Sequence, residues 1–453
     1  MRASSNSKTA HSTRMPTLSQ VRLASCQHVS DKRPNRNGQS AAVLGFSKKL
    51  KGLFNKRMPH IALIGYGVVG RALGDVLAAR VRGAKVVAND PKLRPGRAGK
   101  VRIEKNLPKA VAGADWIFLC VPSHLQGQGV AGPGWRKLAA QLRLHAKAEA
   151  ILVIKSTLVP GDVAELEKLT RRRVVVCPEF MSEGTAERDI LHPHRVLVGG
   201  SDPAAVESVI RLYRQWVPAR KIIRMDAWSA QLAKLLANAM LAQRVSSINS
   251  MTALCERAGG DVRSVARAVG LDPRIGPHFL NASPGFGGSC LEKDIRLLCG
   301  LARSLGHPEV ARYWQAIIDM NEGHVERVIR EIGLAAGRAG KVAVFGVAFK
   351  GGVKDLRNST ALRVVKGLEM AGHEVVVYDT LVKRHKGLTI KATPELAIAG
   401  ASVLAVLTDD KAFQKLDWGR FVASGLKVYD AQGVVPAGLR RSRGCASLGG
   451  AAK

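Results

Sequence analysis

Between His60 and Asp90 the chain reads as strand, glycine turn, helix, strand, acid, and few folds accommodate that order. His60-Ile61-Ala62-Leu63-Ile64 is a short apolar run of buried-strand type. Gly65-Tyr66-Gly67-Val68-Val69-Gly70 follows, then an amphipathic helical pattern over 71–80, then a second apolar strand over 84–89 that ends at Asp90. Glycines at this GxGxxG spacing permit a tight turn and let a pyrophosphate approach the helix N-terminus. Asp90, twenty residues past Gly70, is positioned to accept hydrogen bonds from an adenosine ribose. The segment predicts a doubly wound α/β domain that binds a dinucleotide, and a carboxylate at this place favours NAD over NADP.

Further apolar strands over 116–121, 150–154 and 174–177 run into Ser123, Thr157 and Glu179. Parallel α/β sheets bind ligands at the C-terminal ends of their strands, so Ser123 and Thr157 are candidate contacts on the nicotinamide side. Lys341-Val342-Ala343-Val344-Phe345-Gly346 opens a second α/β unit, with a helix over 359–370 and strands over 374–378, 402–407 and 427–429. It lacks a full GxGxxG, so a different ligand is expected there. Lys350 and Arg357 would suit phosphate oxygens.

Residues 228–257 contain neither proline nor glycine, and their apolar residues recur at helical spacing. A helix of about thirty residues is long for a globular protein; it is expected to link the two units and to bury a face against a partner helix. Lys234 and Asn238 share one face of it. Downstream lies Gly285-Phe286-Gly287-Gly288-Ser289-Cys290-Leu291-Glu292-Lys293-Asp294. This is a glycine-rich loop open to a phosphate, carrying a thiol that a neighbouring cation would activate.

The chain has 453 residues, enough for two or three domains, and 46% hydrophobic content. No apolar run reaches membrane-span length. The seven cysteines form no CxxC pair and show no zinc spacing, which argues for a reducing, cytoplasmic setting and against a structural metal. The net charge of +35 attracts polyanions, yet no nucleic-acid-reading motif is present, so neither specific nucleic-acid binding nor a membrane partner is expected. The partition is 1–57 as a disordered basic extension, either a transit peptide or sequence upstream of a true start at Met58. An NAD-binding Rossmann domain follows over 58–215, a central helical region with the reactive cysteine over 216–325, a second Rossmann-like domain over 326–436, and a disordered tail over 437–453.

Taken together, these pieces resemble the UDP-glucose/GDP-mannose dehydrogenase family over about 59–436. The resemblance is densest where Leu232 to Asn238, the run QRVSSINSMTALC from Gln243 to Cys255, Arg274-Ile275-Gly276, the Cys290 loop and Tyr313-Trp314-Gln315 occur in order. The resemblance implies two Rossmann-like domains joined by the long helix, at least a homodimer formed through the central region over 216–325, UDP-sugar binding by the domain over 326–436, and four-electron oxidation of a nucleotide-sugar C6 alcohol to a carboxylate with NAD. Of the substrates, UDP-glucose, giving UDP-glucuronate, comes first; UDP-N-acetylhexosamine or GDP-mannose would use the same chemistry. A catalytically weak paralogue that binds nucleotide sugar or polyanion is the alternative of another class.

The resemblance implies that Cys290 is the nucleophile, forming a thiohemiacetal and then a thioester. By the same resemblance Lys234 stabilises oxyanions, Asp294 and Thr157 position water, Glu179 is the base for hydrolysis, and Asn238 belongs to the same catalytic set. Glu179, Phe180, Glu183, Lys234, Asn238, Arg274, Asn281, Gly285, Phe286, Gly287, Phe349 and Lys350 match substrate-site positions, Arg274 from across a dimer interface. Glu183 and Arg357 also match positions close to NAD. Ser182, His124, Asn281 and Gln432-Gly433 depart from the family pattern, the last two where the family often carries a lysine and an arginine.

Overall fold

The computed structural model describes residues 58–122, 130, 132–440 and 444–450. The 1–57 extension, Ser123 and His124 lie outside those residues. The first sheet comprises β1 (His60–Ile64), β2 (Lys85–Asn89), β3 (Gly96–Ala98), β4 (Val101–Ile103), β5 (Trp116–Leu119), β6 (Ile151–Ile154), β7 (Arg173–Val176), β8 (Val196–Gly200) and β9 (Ile222–Met225). Their spatial order is β3-β4-β2-β1-β5-β6-β7-β8-β9. All pairings are parallel except β3 with β4 and β7 with β8. The order reverses between β1 and β5, which opens a crevice at their C-terminal ends. Ile61 and Leu63 of β1 are fully buried on one face and Ala62 on the other. Burying each of the larger two removes it from water at a gain of about 1.5–3 kcal/mol.

The second sheet comprises β10 (Val342–Phe345), β11 (Val375–Tyr378), β12 (Thr389–Ile390), β13 (Val403–Val406), β14 (Lys427–Asp430) and β15 (Cys445–Ser447), in the order β12-β11-β10-β13-β14-β15 and all parallel. The molecule is therefore α/β with two doubly wound sheets. One expectation fails here. The tail beyond 437 was expected to be disordered, but β15 pairs in register with β14 and extends the sheet. Its continuation is held as well: Gly449 N–H donates to Glu256 at 2.6 Å, and Val262 N–H donates to Gly449 O at 2.9 Å. Backbone pairing to a neighbouring strand needs no apolar side chains, so the Gly/Ala/Arg-rich composition concealed it.

Six helices position the candidate site: α1 (Val68–Arg80), α2 (Ala227–Ala258), α3 (Val262–Gly270), α4 (Leu291–Ser304), α5 (Pro308–Ala336) and α6 (Thr360–Met370). α2 runs for 32 residues without a break. Asp226 caps its start by accepting from Ser229 N–H at 2.7 Å, and Gly259 ends it in the left-handed region at φ 76°. Ala239 and Ala242 of α2 pack with Ile295 and Leu298 of α4 and Trp314 and Ile318 of α5 into one apolar cluster. That cluster fixes the face carrying Lys234 and Asn238 relative to the helix that begins at Cys290.

Candidate active site

The glycine turn lies at the C-terminal end of β1. Gly65 has φ 90°, and a Cβ there would come within 2.8 Å of Cys120 O, at the edge of the crevice. A Cβ on Gly70 would lie 2.0 Å from Gly65 O, so α1 approaches the strand as only glycine allows. Gly67 forms the N-cap of α1 with no side-chain cap, and nothing lies within 4 Å of where its Cβ would be. The helix N-terminus is thus open, the arrangement a pyrophosphate requires. Tyr66, Val68 and Val69 complete the turn. Tyr66 N–H donates to Asp90 at 3.0 Å, and Lys92 N–H donates to the other oxygen of Asp90 at 3.0 Å, which aims the carboxylate back at the turn. Burial, with the Asp75 charge second, pushes the Tyr66 phenol up to about 12. These residues fit a bound NAD. Thr157 follows β6 and is half-buried; its neighbour Ser156 donates to Val121 O at 2.5 Å and so ties the ends of β5 and β6 together.

Two partly buried pairs connect α2 to the rest of the site. Lys234, 4% exposed, donates to Glu179 at 3.0 Å, and the second oxygen of Glu179 accepts from Met181 N–H at 2.8 Å. One helical turn on, Asn238 donates to Asp294 at 2.6 Å; Asp294 is fully buried in the first turn of α4 and also takes the Lys293 ammonium. The Lys234 ammonium additionally lies 5.3 Å from the Phe180 ring centroid. Cys290 is the exposed N-cap residue of α4, with the Ser289 hydroxyl 3.6 Å from its sulfur. Lys293, three residues on from Cys290, is bound to Asp294.

The loop ahead of Cys290 is held by residues far away in sequence. Asn321 on α5 accepts from Phe286 N–H at 2.8 Å and donates to Phe286 O at 3.1 Å. His324 contacts Ser283 O at 2.9 Å, and Asn249 on α2 accepts from Ser283 N–H at 3.0 Å. Burial lowers the His324 pKa to about 4. A Cβ on Gly285 would strike Asn321, and one on Gly287 would lie 2.5 Å from Asn358 O. A Cβ on Gly288 would come within 3.0 Å of the Phe349 ring. This seats the Cys290 loop against the second α/β unit.

Arg357 binds Asp355 through both oxygens, at 2.9 Å from Nε to each, and approaches Glu183 at 4.0 Å. Its guanidinium is therefore committed to Asp355, against the expectation of a free phosphate ligand. The Arg357 hydrogen bonds hold the Asp355 carboxyl below its usual range, whereas burial and the Asp355 charge raise Glu183. Lys350 is exposed and near enough for its charge to act on Glu183. Arg274 and Asn281 do not join these groups. Arg274 is 87% exposed and held on Asp272 at 2.6 Å, and Asn281 is exposed in its loop. Arg244, to which no role was assigned from the sequence, clamps the Arg274 loop by donating to Ile275 O, Gly276 O and His278 O at 2.6–3.0 Å. Among the described residues no group of acids, histidines and cysteines could hold a metal, and no helix is long and apolar enough to cross a membrane.

Models of the UDP-glucose/GDP-mannose dehydrogenase family match this chain in three successive segments: the NAD binding domain at 90–217, the central domain at 228–323 and the UDP binding domain at 343–437. The chain is 37% identical over 365 residues to UDP-glucose 6-dehydrogenase of Caenorhabditis elegans, covering 72% of this chain and 76% of the relative. It is 34% identical to the Mus musculus protein of the same name, covering 83% and 89%. Its fold resembles the solved UDP-glucose dehydrogenase of the archaeon Pyrobaculum islandicum, with TM-score 0.76 and 24% identity over 88% of this chain and 99% of that one.

Proposed function

Because this chain belongs to the UDP-glucose/GDP-mannose dehydrogenase family and is an NAD-dependent oxidoreductase, we propose that it oxidises the C6 alcohol of UDP-glucose to the carboxylate of UDP-glucuronate. The observation that carries this reading is the pair of contacts one turn apart on α2, Lys234 with Glu179 and Asn238 with Asp294. NAD, when bound, supplies the hydride acceptor for each of two oxidations.

In this reading the Lys234 ammonium stabilises the oxyanion that develops at C6 during each step. Cys290 adds to the intermediate aldehyde as a thiolate, giving a thiohemiacetal whose oxidation leaves a thioester. Covalent capture keeps the aldehyde in place and converts it into a hydride donor. Asp294, buried beside Asn238, and Thr157 position the water that hydrolyses the thioester, and Glu179 takes its proton. Phe180, Glu183, Gly285, Phe286, Gly287, Phe349 and Lys350 line the nucleotide-sugar site. Arg274 and Asn281, both exposed in one chain, join it from a second copy or through loop closure. Leu236, Met240, Val265, Val269, Leu271 and Phe279 leave an apolar surface on the helical region, consistent with a homodimer or a higher oligomer. The six described cysteines are free, which suits the reducing cytoplasm.

The test is NADH production by the full chain against UDP-glucose, UDP-N-acetylhexosamines and GDP-mannose. The expected result is two NADH per UDP-glucose, with steady-state turnover falling about 10³-fold or more in Cys290→Ser. Undiminished turnover by that variant would rule out the covalent route. Tight sugar-nucleotide binding without NADH from any substrate would identify a binding paralogue.

A further inference from the structure

A cavity of about 200 Å³ lies behind Glu179, between the segment that follows β7 and the turn that precedes β8. Lys155, Phe180, His192, His194, Arg195 and Tyr213 line it, whereas Lys234, Asn238, Cys290 and Asp294 do not. Glu179 and Phe180 are common to this cavity and to the site described above. Among the described residues, two of its cations form no ion pair. Lys155 is 6% exposed, and its ammonium meets only neutral groups: Pro178 O at 3.3 Å, the Tyr213 hydroxyl at 3.4 Å and the Cys177 sulfur at 3.9 Å. The Arg195 guanidinium stacks 3.7 Å from the Phe180 ring centroid, and among the described residues none of its N–H donors reaches an acceptor. The carboxylates on the same wall are engaged elsewhere: Glu179 by Lys234 and Met181 N–H, Asp189 by Ser182 N–H and the Thr185 hydroxyl.

Lys155 is buried and Arg195 half-buried, and a cation withdrawn from water is costly to the extent that it is unpaired. The volume admits a tetrahedral oxyanion with several waters, each of which takes about 30 Å³ in the liquid. We propose that this cavity binds a small oxyanion of the inorganic phosphate class, held between Lys155 and Arg195. The ring stacked on Arg195 also faces Lys234, so withdrawing the guanidinium toward an anion frees Phe180 to shift against that ammonium. Occupancy therefore changes turnover, a consequence that rests on the role assigned to Lys234 above, whereas the binding itself does not.

The test is calorimetric titration of the full chain with inorganic phosphate at constant ionic strength, set with chloride because a net charge of +35 attracts any anion. One saturable site is expected, weakened about tenfold or more in Arg195→Gln and unchanged in Lys100→Gln, a change at an exposed turn. Equal affinity in the wild type and Arg195→Gln, or no saturable binding, overturns the site. NADH formation is then followed with and without phosphate. Wild-type turnover is expected to respond and the Arg195→Gln enzyme to be indifferent; a wild type that binds phosphate at unaltered turnover overturns the coupling through Phe180. A chain that produces no NADH at all contradicts the proposed reaction and leaves the binding isotherm to decide the site.

Discussion

The two α/β units begin alike and then diverge. Each first strand ends in a glycine with positive φ, Gly65 at 90° and Gly346 at 82°. Each second strand ends in an aspartate that accepts the next backbone N–H after that glycine: Asp90 from Tyr66 and Asp379 from Val347. In the first unit a helix starts at once, with an open N-terminus at Gly67. In the second, Ser359 closes the start of α6, accepting from Leu362 N–H and donating to Val347 O at 2.7 Å. A Cβ on Gly346 would strike Thr408. Asp379 is 4% exposed and also takes Leu381 and Val382 N–H. The same topology therefore supplies an open phosphate cradle in one unit and a filled, self-satisfied corner in the other. A ligand of the second unit has to bind along its outer loops, where Phe349 and Lys350 lie.

The strongest way to break this contrast is Gly70→Val. The new side chain meets the Gly65 carbonyl, which cannot retreat, and NAD affinity is expected to fall about 100-fold or more. UDP-glucose binding, measured separately by calorimetry, should be nearly unaffected; equal loss of both ligands would mean the units are not independent. The matched aspartates sharpen the point. Asp379→Ala leaves three N–H groups without their acceptor and should lower stability by about 3 kcal/mol in denaturant titration. Asp90→Ala should instead cost about tenfold in NAD affinity with little change in stability.

The framework was legible wherever short-range pattern decides structure. The 228–257 helix and the Gly65 turn follow from periodicity and spacing, and the shared face of Lys234 and Asn238 follows from their separation of four. What was not legible depends on contacts across long sequence separations. Asn321, His324 and Asn249 read as ordinary helix residues, yet each bonds a loop residue 34 to 41 positions away. A polar residue on the buried side of a long helix was the available sign. Arg195 offered no local sign at all, because its neighbour Phe180 comes from another strand end.

His324, which holds the loop between the units from α5, adds a pH signature. His324 is 2% exposed, and its folded pKa is about 4 against an ordinary 6.5. A depressed folded pKa means that the stabilisation is complete above 6.5 and is lost as pH falls toward 4, to a limit on the order of 3 kcal/mol. His324→Gln should flatten that part of the stability profile while leaving the contrast between the two units intact. An unchanged acid limb in the variant would assign the loss to other groups.

The unbroken run of α2 has a mechanical consequence. Lys234 and Glu256 stand on one rod, about 33 Å apart at 1.5 Å per residue. One grips Glu179 and the other grips Gly449 beyond the last strand. A tilt of about 2° around the point midway between them would carry the two ends about 0.6 Å in opposite directions, on the scale at which misplacement slows chemistry. The far edge of the second sheet and the Lys234–Glu179 pair are thus tied to opposite ends of one rod.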